Sequence, residues 1–413
     1  MKEVVIIGGG VSGIMCAITI KEELKDKVHV IIVERLERVG KKILSTGNGR
    51  CNFSNINMIA SKYNNPPFVA AILNNLTPEK LMEKFKEMGL ISKVGSEGRV
   101  YPYTEMANSV LDILRIKMKS LGIIEKCNQE VKKIVYNEGS YFLETTRGFQ
   151  IPADYIVLAT GGKAAPILGS NGSGYGLVKP FKVKVSDVQP GLVGIKIDQN
   201  AIRGLSGIRT KANVSLYDKK QKIKLFEEFG EVQFKDDGIS GIVVMQLQLH
   251  IARLPKNNNL VIEMDLLPTV SEEELYEMLL KRKEEYGMLE NNEFLTGLFA
   301  KMLAHLIIRN CKLDLSGYAE TLTLKEIKRI IEEIKSFKLE PKGFYSFDKA
   351  QITVGGIETS ELDKKTLEIK KMPGAYACGE VLNIDGECGG YNIHFACASG
   401  YTVAQDIIKK CEE

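Results

Sequence analysis

Seventeen residues near the start of the chain, VVIIGGGVSGIMCAITI (Val4–Ile20), limit what it can become: no charge interrupts them, but four glycines do. Val4–Ile7 reads as a short apolar strand, the kind buried on both faces of a parallel sheet. Gly8, Gly10 and Gly13 then fit G-x-G-x-x-G. The first glycine permits the turn, the second lets backbone approach a pyrophosphate, and the third lets helix and strand pack closely. The helix N-terminus offers unpaired N–H groups and partial positive charge to phosphates. A second strand, HVIIVE, ends at Glu34, 21 residues beyond Gly13, where an acid can bond both hydroxyls of an adenosine ribose. A glycine turn alone says little; with both strands, the helix and the acid it predicts a Rossmann-like α/β domain binding a dinucleotide. One basic residue precedes the apolar run and its length is short for a membrane span, so a folded, cytoplasmic N-terminus is expected.

The fingerprint fits NAD or FAD, and the next stretch separates them. GKKILSTGNGRCNFSN (Gly40–Asn55) concentrates glycine, amide and positive charge between apolar segments. FAD-binding folds of the glutathione-reductase type run such a segment along the pyrophosphate toward the flavin. Lys41, Lys42 and Arg50 are candidates to face phosphates, Gly47 and Gly49 permit close approach, and Asn48 and Asn52 offer amides to the ribityl chain or ring edge. Thr46 and Cys51 belong to the same loop; Cys51 reads as a packing residue rather than a redox thiol. ADYIVLATGG (Ala153–Gly162) is a buried strand returning the chain to the nucleotide through Thr160, Gly161 and Gly162. A β-meander with turns at Asn137–Gly139 and Arg147–Gly148 precedes it. Arg35, beside Glu34, and Val131, opening the meander, complete this part of the set. Near the C-terminus, Gly379-Glu380 turns after a short strand and Asp385 can accept from a ribityl hydroxyl. Gly389-Gly390 then opens a helix over about 391–409, whose first turns carry Tyr391, Asn392, Ile393 and Ala396. Its N-terminus is expected at the flavin pyrimidine, where charge develops on reduction.

Lys plus Arg number 56 and Asp plus Glu 52, a net of +4, too small an excess to argue for nucleic acid or an anionic membrane as the main partner. The eight cysteines form no C-x-x-C pair, and no Cys/His cluster has metal-ligand spacing. A disulfide scaffold, a dithiol relay and a metal site are therefore not expected. GSNGSGYG (Gly169–Gly176) has the wrong spacing for a second fingerprint, so a nicotinamide donor is expected to visit transiently. His29, His250 and His305 form no triad.

Together, GKKILSTGNGRCNFSN, ATGGKAAPILGSNGSGYGL, ITVGGI and GEVLNIDGECGGYNIHFACASG resemble the BaiN-like (YhiN-type) bacterial flavoproteins, over residues 1–190 and about 340–413. The resemblance implies non-covalent FAD and a Rossmann-like FAD domain (1–190 and 341–413) split by an insertion. That insertion would hold a β-barrel-like domain (191–250 and 311–340) and a helical region (251–337) overlapping its C-terminal part. Alternation in LVGIKID, TKANVSLYD and KIKLFEEFGEVQF fits the first. Capping boxes at Ser271–Glu274 and Thr323–Glu326, with an apolar stripe at Ile327, Ile330, Ile331 and Ile334, fit the second. Before GISG, Lys235 and Asp236 stand where the family carries Thr-His; Ser240 is expected to cap the helix that follows.

The family resemblance also offers two activities. One is reduction of an unsaturated keto bile acid by hydride from flavin N5, with NAD(P)H as donor. The other is oxidation of a small amine such as aminoacetone. A flavin-binding protein without turnover is a third reading. In each the partner is a small molecule. For the first, Tyr391 and His394 are the candidate proton donors, although a histidine satisfied within its helix and a tyrosine packing beside the cofactor fit the same positions.

Overall fold

The computed structural model describes residues 1–220, 223–255 and 259–413, so Lys222 of the expected strand and residues 256–258 of the expected helical span lie outside the described residues. The chain divides into two compact units, Met1–Gly191 with Ser346–Glu413, and Leu192–Tyr345.

The first unit is built on a five-stranded parallel sheet in the order Ala375–Ala377, Tyr155–Leu158, β1 (Lys2–Ile7), β2 (Val28–Val33), Ile124–Lys126. Val4 to Ile7 are at most 4% exposed, which is why β1 carries no polar alternation: both faces are covered. Helix α1 (Val11–Leu24) follows the glycine turn and the C-terminal helix Tyr391–Glu412 packs on it. The two approach so closely at Gly400 that a Cβ there would lie 2.2 Å from Ser12 O. The β-meander forms as Val131–Asn137, Ser140–Thr145 and Gln150–Ala153. A small sheet of Ser54–Asn55, Arg99–Pro102 and Ser92–Val94 carries the end of the glycine-rich loop. One continuous apolar core fills this unit.

The second unit holds a seven-stranded sheet with helices Ile242–Arg253, Glu272–Glu285, Lys301–Asn310 and Leu324–Lys335 around a core of its own. Both capping boxes form, at Ser271 and Thr323, and all four stripe isoleucines are buried. Three details differ from the sequence reading. Leu260–Asp265, inside the span read as helical, is a strand pairing with Arg209–Asp218. Pro341–Phe344 belongs to this sheet, antiparallel to Ile195–Ile197, rather than to the FAD domain. Ser240 ends a strand; Gly241 caps the helix instead, at φ +113, where a Cβ would lie 2.1 Å from Glu231 O. No helix among the described residues is long and apolar enough to cross a membrane.

Candidate active site

The glycine turn opens a cleft of the first unit. The cleft encloses about 1140 Å³ between atoms, counting its open mouth. Three glycines in the turn have three different reasons to be glycine. At Gly8 (φ +105) a Cβ would lie 2.4 Å from Ala159 O, and at Gly13 it would lie 2.3 Å from Gly8 O, so both are required by the chain's own packing. Gly10 is different. Its φ is −76, and the nearest atom to a Cβ would be Ala159 O at 4.0 Å. Nothing in the protein demands glycine there. A side chain would instead project into the cleft, in front of the first-turn N–H groups of α1, which have no partner within the helix. A phosphate fits that space and those donors.

Glu34, 8% exposed, closes β2 on the cleft wall. Its Oε2 accepts from Gly9 N (2.9 Å) and its Oε1 from Leu36 N (2.8 Å). The carboxylate is thereby fixed in orientation, with lone pairs left for hydroxyl donors.

The loop Lys41–Gly49 is a run of tight turns broken at Thr46 to Asn48. Lys42, Thr46 and Cys51 face the cleft. Lys42 Nζ donates to Glu380 Oε2 (2.6 Å), and Glu380 Oε1 accepts from Thr353 N and Oγ1, each at 2.9 Å. Thr353 belongs to the ITVGGI stretch; its Oγ1 also accepts from Lys163 N (2.7 Å) and Ala164 N (3.0 Å), after the ATGG turn. All four stretches that carry the family resemblance therefore meet at one carboxylate and one hydroxyl. Cys51 is 1% exposed and burial pushes its thiol up to about 11, which makes it a packing residue.

The C-terminal helix presents Asn392, Ile393 and Ala396 to the cleft. The Asn392 side chain is committed to its own loop, accepting from Gly386 N and donating to Gly386 O, both at 2.8 Å. The two candidate acids are not on this wall. His394 is fully buried; Nε2 bonds Leu76 O (2.9 Å) and Nδ1 bonds Ser54 Oγ (2.8 Å). A carbonyl acceptor at Nε2 requires the proton there, so Nδ1 accepts from the serine. Burial lowers the imidazole to about 4, and the ring is a neutral structural bridge. Tyr391 donates to Asn57 O (3.3 Å), and its ring meets Tyr63 edge-on at 5.7 Å. Neither lines the cleft, and both take the packing positions that the sequence also fitted.

Of the other sequence candidates, Gly8, Gly10, Thr160, Gly161 and Glu380 line the cleft with those above. The rest stand behind or beside it, for reasons of packing. Gly162 sits against Thr353 Oγ1 (2.3 Å from a built Cβ), Gly379 (φ +75) against Ser12 Oγ (2.5 Å), and Gly390 (φ +100) against Ser54 O (2.2 Å). Gly389 precedes Gly390 at φ +115. Asn52, with its amide nitrogen toward Ser54 O and Val100 O, accepts from Gly390 N (3.2 Å). Gly47, Asn48 and Gly49 form an exposed left-handed turn, and Arg50 lies over the Tyr101 ring at 5.1 Å. Arg35 reaches Gly169 O and Glu130, Val131 is buried in the meander, and Asp385 is buried with its backbone bonded to Asn64. The sequence reading missed Ser12, Ser170, Phe53, Phe85, Ile384 and Phe395 among the residues that line the cleft. Ser12 and Phe53 sat inside motifs already singled out. So did Ser170, Ile384 and Phe395; Phe85, from the helix Pro78–Glu87, has no local signal.

A glycine turn, an acid held fixed at the end of the second strand and a second helix start, all on one cleft beside a parallel sheet, define an oxidoreductase of the FAD-dependent Rossmann class. A family model described as HI0933-like protein Rossmann domain matches residues 2–406, and the chain belongs to that family. It is 34% identical over 404 residues to a 3-dehydro-bile acid delta(4,6)-reductase of Clostridium scindens, covering 97% of this chain and 98% of that one. It is also 25% identical over 413 residues to a ribosomal RNA dihydrouridine synthase of Escherichia coli, covering 98% of each. A protein of the same description from Haemophilus influenzae is 26% identical over 416 residues, covering 99% of each.

Proposed function

We propose that this enzyme uses non-covalently bound FAD to reduce a C=C bond conjugated to a carbonyl in a small-molecule substrate, with NAD(P)H as electron donor. The observation that carries the reading is the cleft itself. Its lining joins the glycine turn and polar side chains to an apolar set, Phe53, Phe85, Ile384 and Phe395, suited to a cofactor and a hydrophobic substrate. The similarity to the bile acid reductase supports the bond type. Dihydrouridine, in the name of the other relatives, is also the product of saturating a C=C bond conjugated to a carbonyl.

The first-turn amides of α1, in front of Gly10, would hold the pyrophosphate, and Glu34 would accept from the ribose hydroxyls. The amides at the start of the C-terminal helix would face the flavin edge that becomes negative on reduction. Once bound and reduced by NAD(P)H, the flavin would supply a hydride for the β-carbon of the conjugated bond. The apolar lining residues would keep water from the substrate, and the open mouth would admit the donor and the product's proton.

Anaerobic stopped-flow tests the proposal. NADH or NADPH should bleach the flavin, and a 3-oxo steroid with a conjugated C=C bond should restore its colour. Restoration by oxygen alone, with bleaching only by a small amine, would turn the assignment to an oxidase. Reduction of uridine in ribosomal RNA without turnover of the steroid would turn it to an RNA-modifying enzyme. The near-balance of 56 basic and 52 acidic residues favours the small molecule.

A further inference from the structure

Reducing a conjugated C=C bond drives negative charge onto the carbonyl oxygen, and the cleft must meet that charge with a donor. Tyr391 and His394 are excluded by their positions. Cys51 is a buried thiol; of the other cations lining the cleft, Arg38 is exposed and Lys41 is paired with the exposed Glu37. Lys42 is the cation on the wall whose direction is fixed from behind.

That fixing can be followed atom by atom. Two amides, Lys163 N and Ala164 N, occupy the lone pairs of Thr353 Oγ1, so its own proton has one place to go, Glu380 Oε1 at 2.9 Å. The same oxygen accepts from Thr353 N, also at 2.9 Å. Glu380 is thus held by one oxygen and presents the other to Lys42 Nζ at 2.6 Å. Gly162 leaves room for this arrangement; a Cβ there would lie 2.3 Å from Thr353 Oγ1 and 2.9 Å from Glu380 Oε1. Thr353 itself is 1% exposed, whereas the Lys42 and Glu380 side chains are 22% and 21% exposed, on the cleft. An ammonium has three protons. Among the described residues Glu380 is the hydrogen-bond partner of Nζ, which leaves two protons for the cleft.

We propose that Lys42 is a catalytic residue that receives the substrate's carbonyl oxygen, and that Glu380 and Thr353 are positioning residues that aim it. The inference rests on the reduction proposed above. As hydride reaches the β-carbon, a C–H bond forms there and the C=C π bond breaks. Its electron pair moves between the α-carbon and the carbonyl carbon, and the carbonyl π pair moves onto oxygen, where Lys42 N–H groups hold it. The α-carbon then takes a proton from water through the open mouth. Hydride plus proton complete the two-electron reduction, with the reduced flavin as reductant. A donor of this kind is worth roughly 10²–10³ in kcat.

The test uses the FAD-loaded protein and p-nitrophenol, whose phenolate mimics the oxyanion and whose absorbance reports its ionisation. Wild-type protein should bind phenolate in preference to phenol. Lys42→Met should lose that preference by roughly tenfold or more, as should Lys42→Met with Glu380→Gln, which removes both charges and guards against misfolding from an unpaired acid. Lys42→Arg should keep it. Thr353→Val should lose part of it and Thr353→Ser should restore it, with the flavin content unchanged in both. A wild-type protein indifferent to phenol ionisation, or a Lys42→Met protein that keeps the preference, overturns the proposal. Turnover of the conjugated steroid by wild-type protein is scored separately. Its absence with phenolate preference intact defeats the proposed reaction but leaves Lys42 as the oxyanion donor of the cleft.

Discussion

Lys42 Nζ lies 2.6 Å from Glu380 Oε2, although 338 positions separate the two residues. One contact thus ties the loop after β2 to the turn before the C-terminal helix. Both side chains are about a fifth exposed, so solvent screens the pair and its worth is modest, about 1 kcal/mol. A double-mutant cycle of Lys42→Met and Glu380→Gln, measured by urea denaturation of the apoprotein, should give a coupling near that size. A coupling indistinguishable from zero contradicts the tie.

The glycine turn yields a sharper contrast. Gly10→Ala places a methyl group whose nearest contact outside its own turn, Ala159 O, is 4.0 Å away. Apoprotein stability should change by less than about 1 kcal/mol, the cost of alanine in place of glycine at an N-cap. FAD affinity should fall by roughly tenfold or more, because the methyl group occupies the phosphate's place. Gly13→Ala places its methyl group 2.3 Å from Gly8 O and should cost about 1–3 kcal/mol of apoprotein stability. Thermal unfolding and flavin absorbance measure both variants. Equal destabilisation by the two substitutions refutes the distinction.

Those two glycines also mark what a sequence can reveal. Strand, turn, helix and acid lie within 31 residues, Val4 to Glu34, and their periodicity and spacing carry the sheet and half the cleft. The C-terminal helix was visible through Gly389-Gly390, but the reason for Gly390 was not. It answers to Ser54 O across the small sheet, a tertiary contact that no local pattern encodes. His394 and Tyr391 stand off the cleft for the same reason. A helix start that faces a cleft turns only some of its residues toward it, and the sequence did not say that the ring of His394 would span from Ser54 to Leu76. Thr353 was quoted inside a motif, yet its part in the site depends on amides nearly two hundred positions away.

His394 makes stability depend on pH. Its folded value of about 4 lies below the ordinary 6.5 because burial penalises the charged ring. The unfolded chain therefore binds the proton more readily. The contribution is complete above about pH 6.5 and is lost as pH falls from there toward 4. The slope approaches 1.4 kcal/mol per pH unit at most, so between pH 7 and pH 4.5 the loss should be on the order of 2–3 kcal/mol. Urea midpoints across that range measure it, and His394→Gln should flatten the curve. A ring that titrates near 6.5 in a histidine NMR experiment defeats the account.

Glu34 has one role in the turn and a second, proposed one toward the cofactor, and one experiment separates them. Its carboxylate accepts from Gly9 N and Leu36 N, so Glu34→Ala strands two amides of the turn and should cost the apoprotein about 1–3 kcal/mol. If that were its whole role, every ligand of the cleft would bind less well to the same degree. The proposed ribose contact adds a second loss that only an adenosine-bearing ligand can feel. FMN carries the flavin and one phosphate but no adenosine ribose. In Glu34→Ala, FAD affinity should therefore fall by roughly tenfold or more beyond any fall in FMN affinity, as read by fluorescence quenching of each flavin on binding. Equal weakening of both would mean that Glu34 acts only through the shape of the turn. In that case the acid that closes β2 is a structural strut, and the adenosine must be held elsewhere on the cleft.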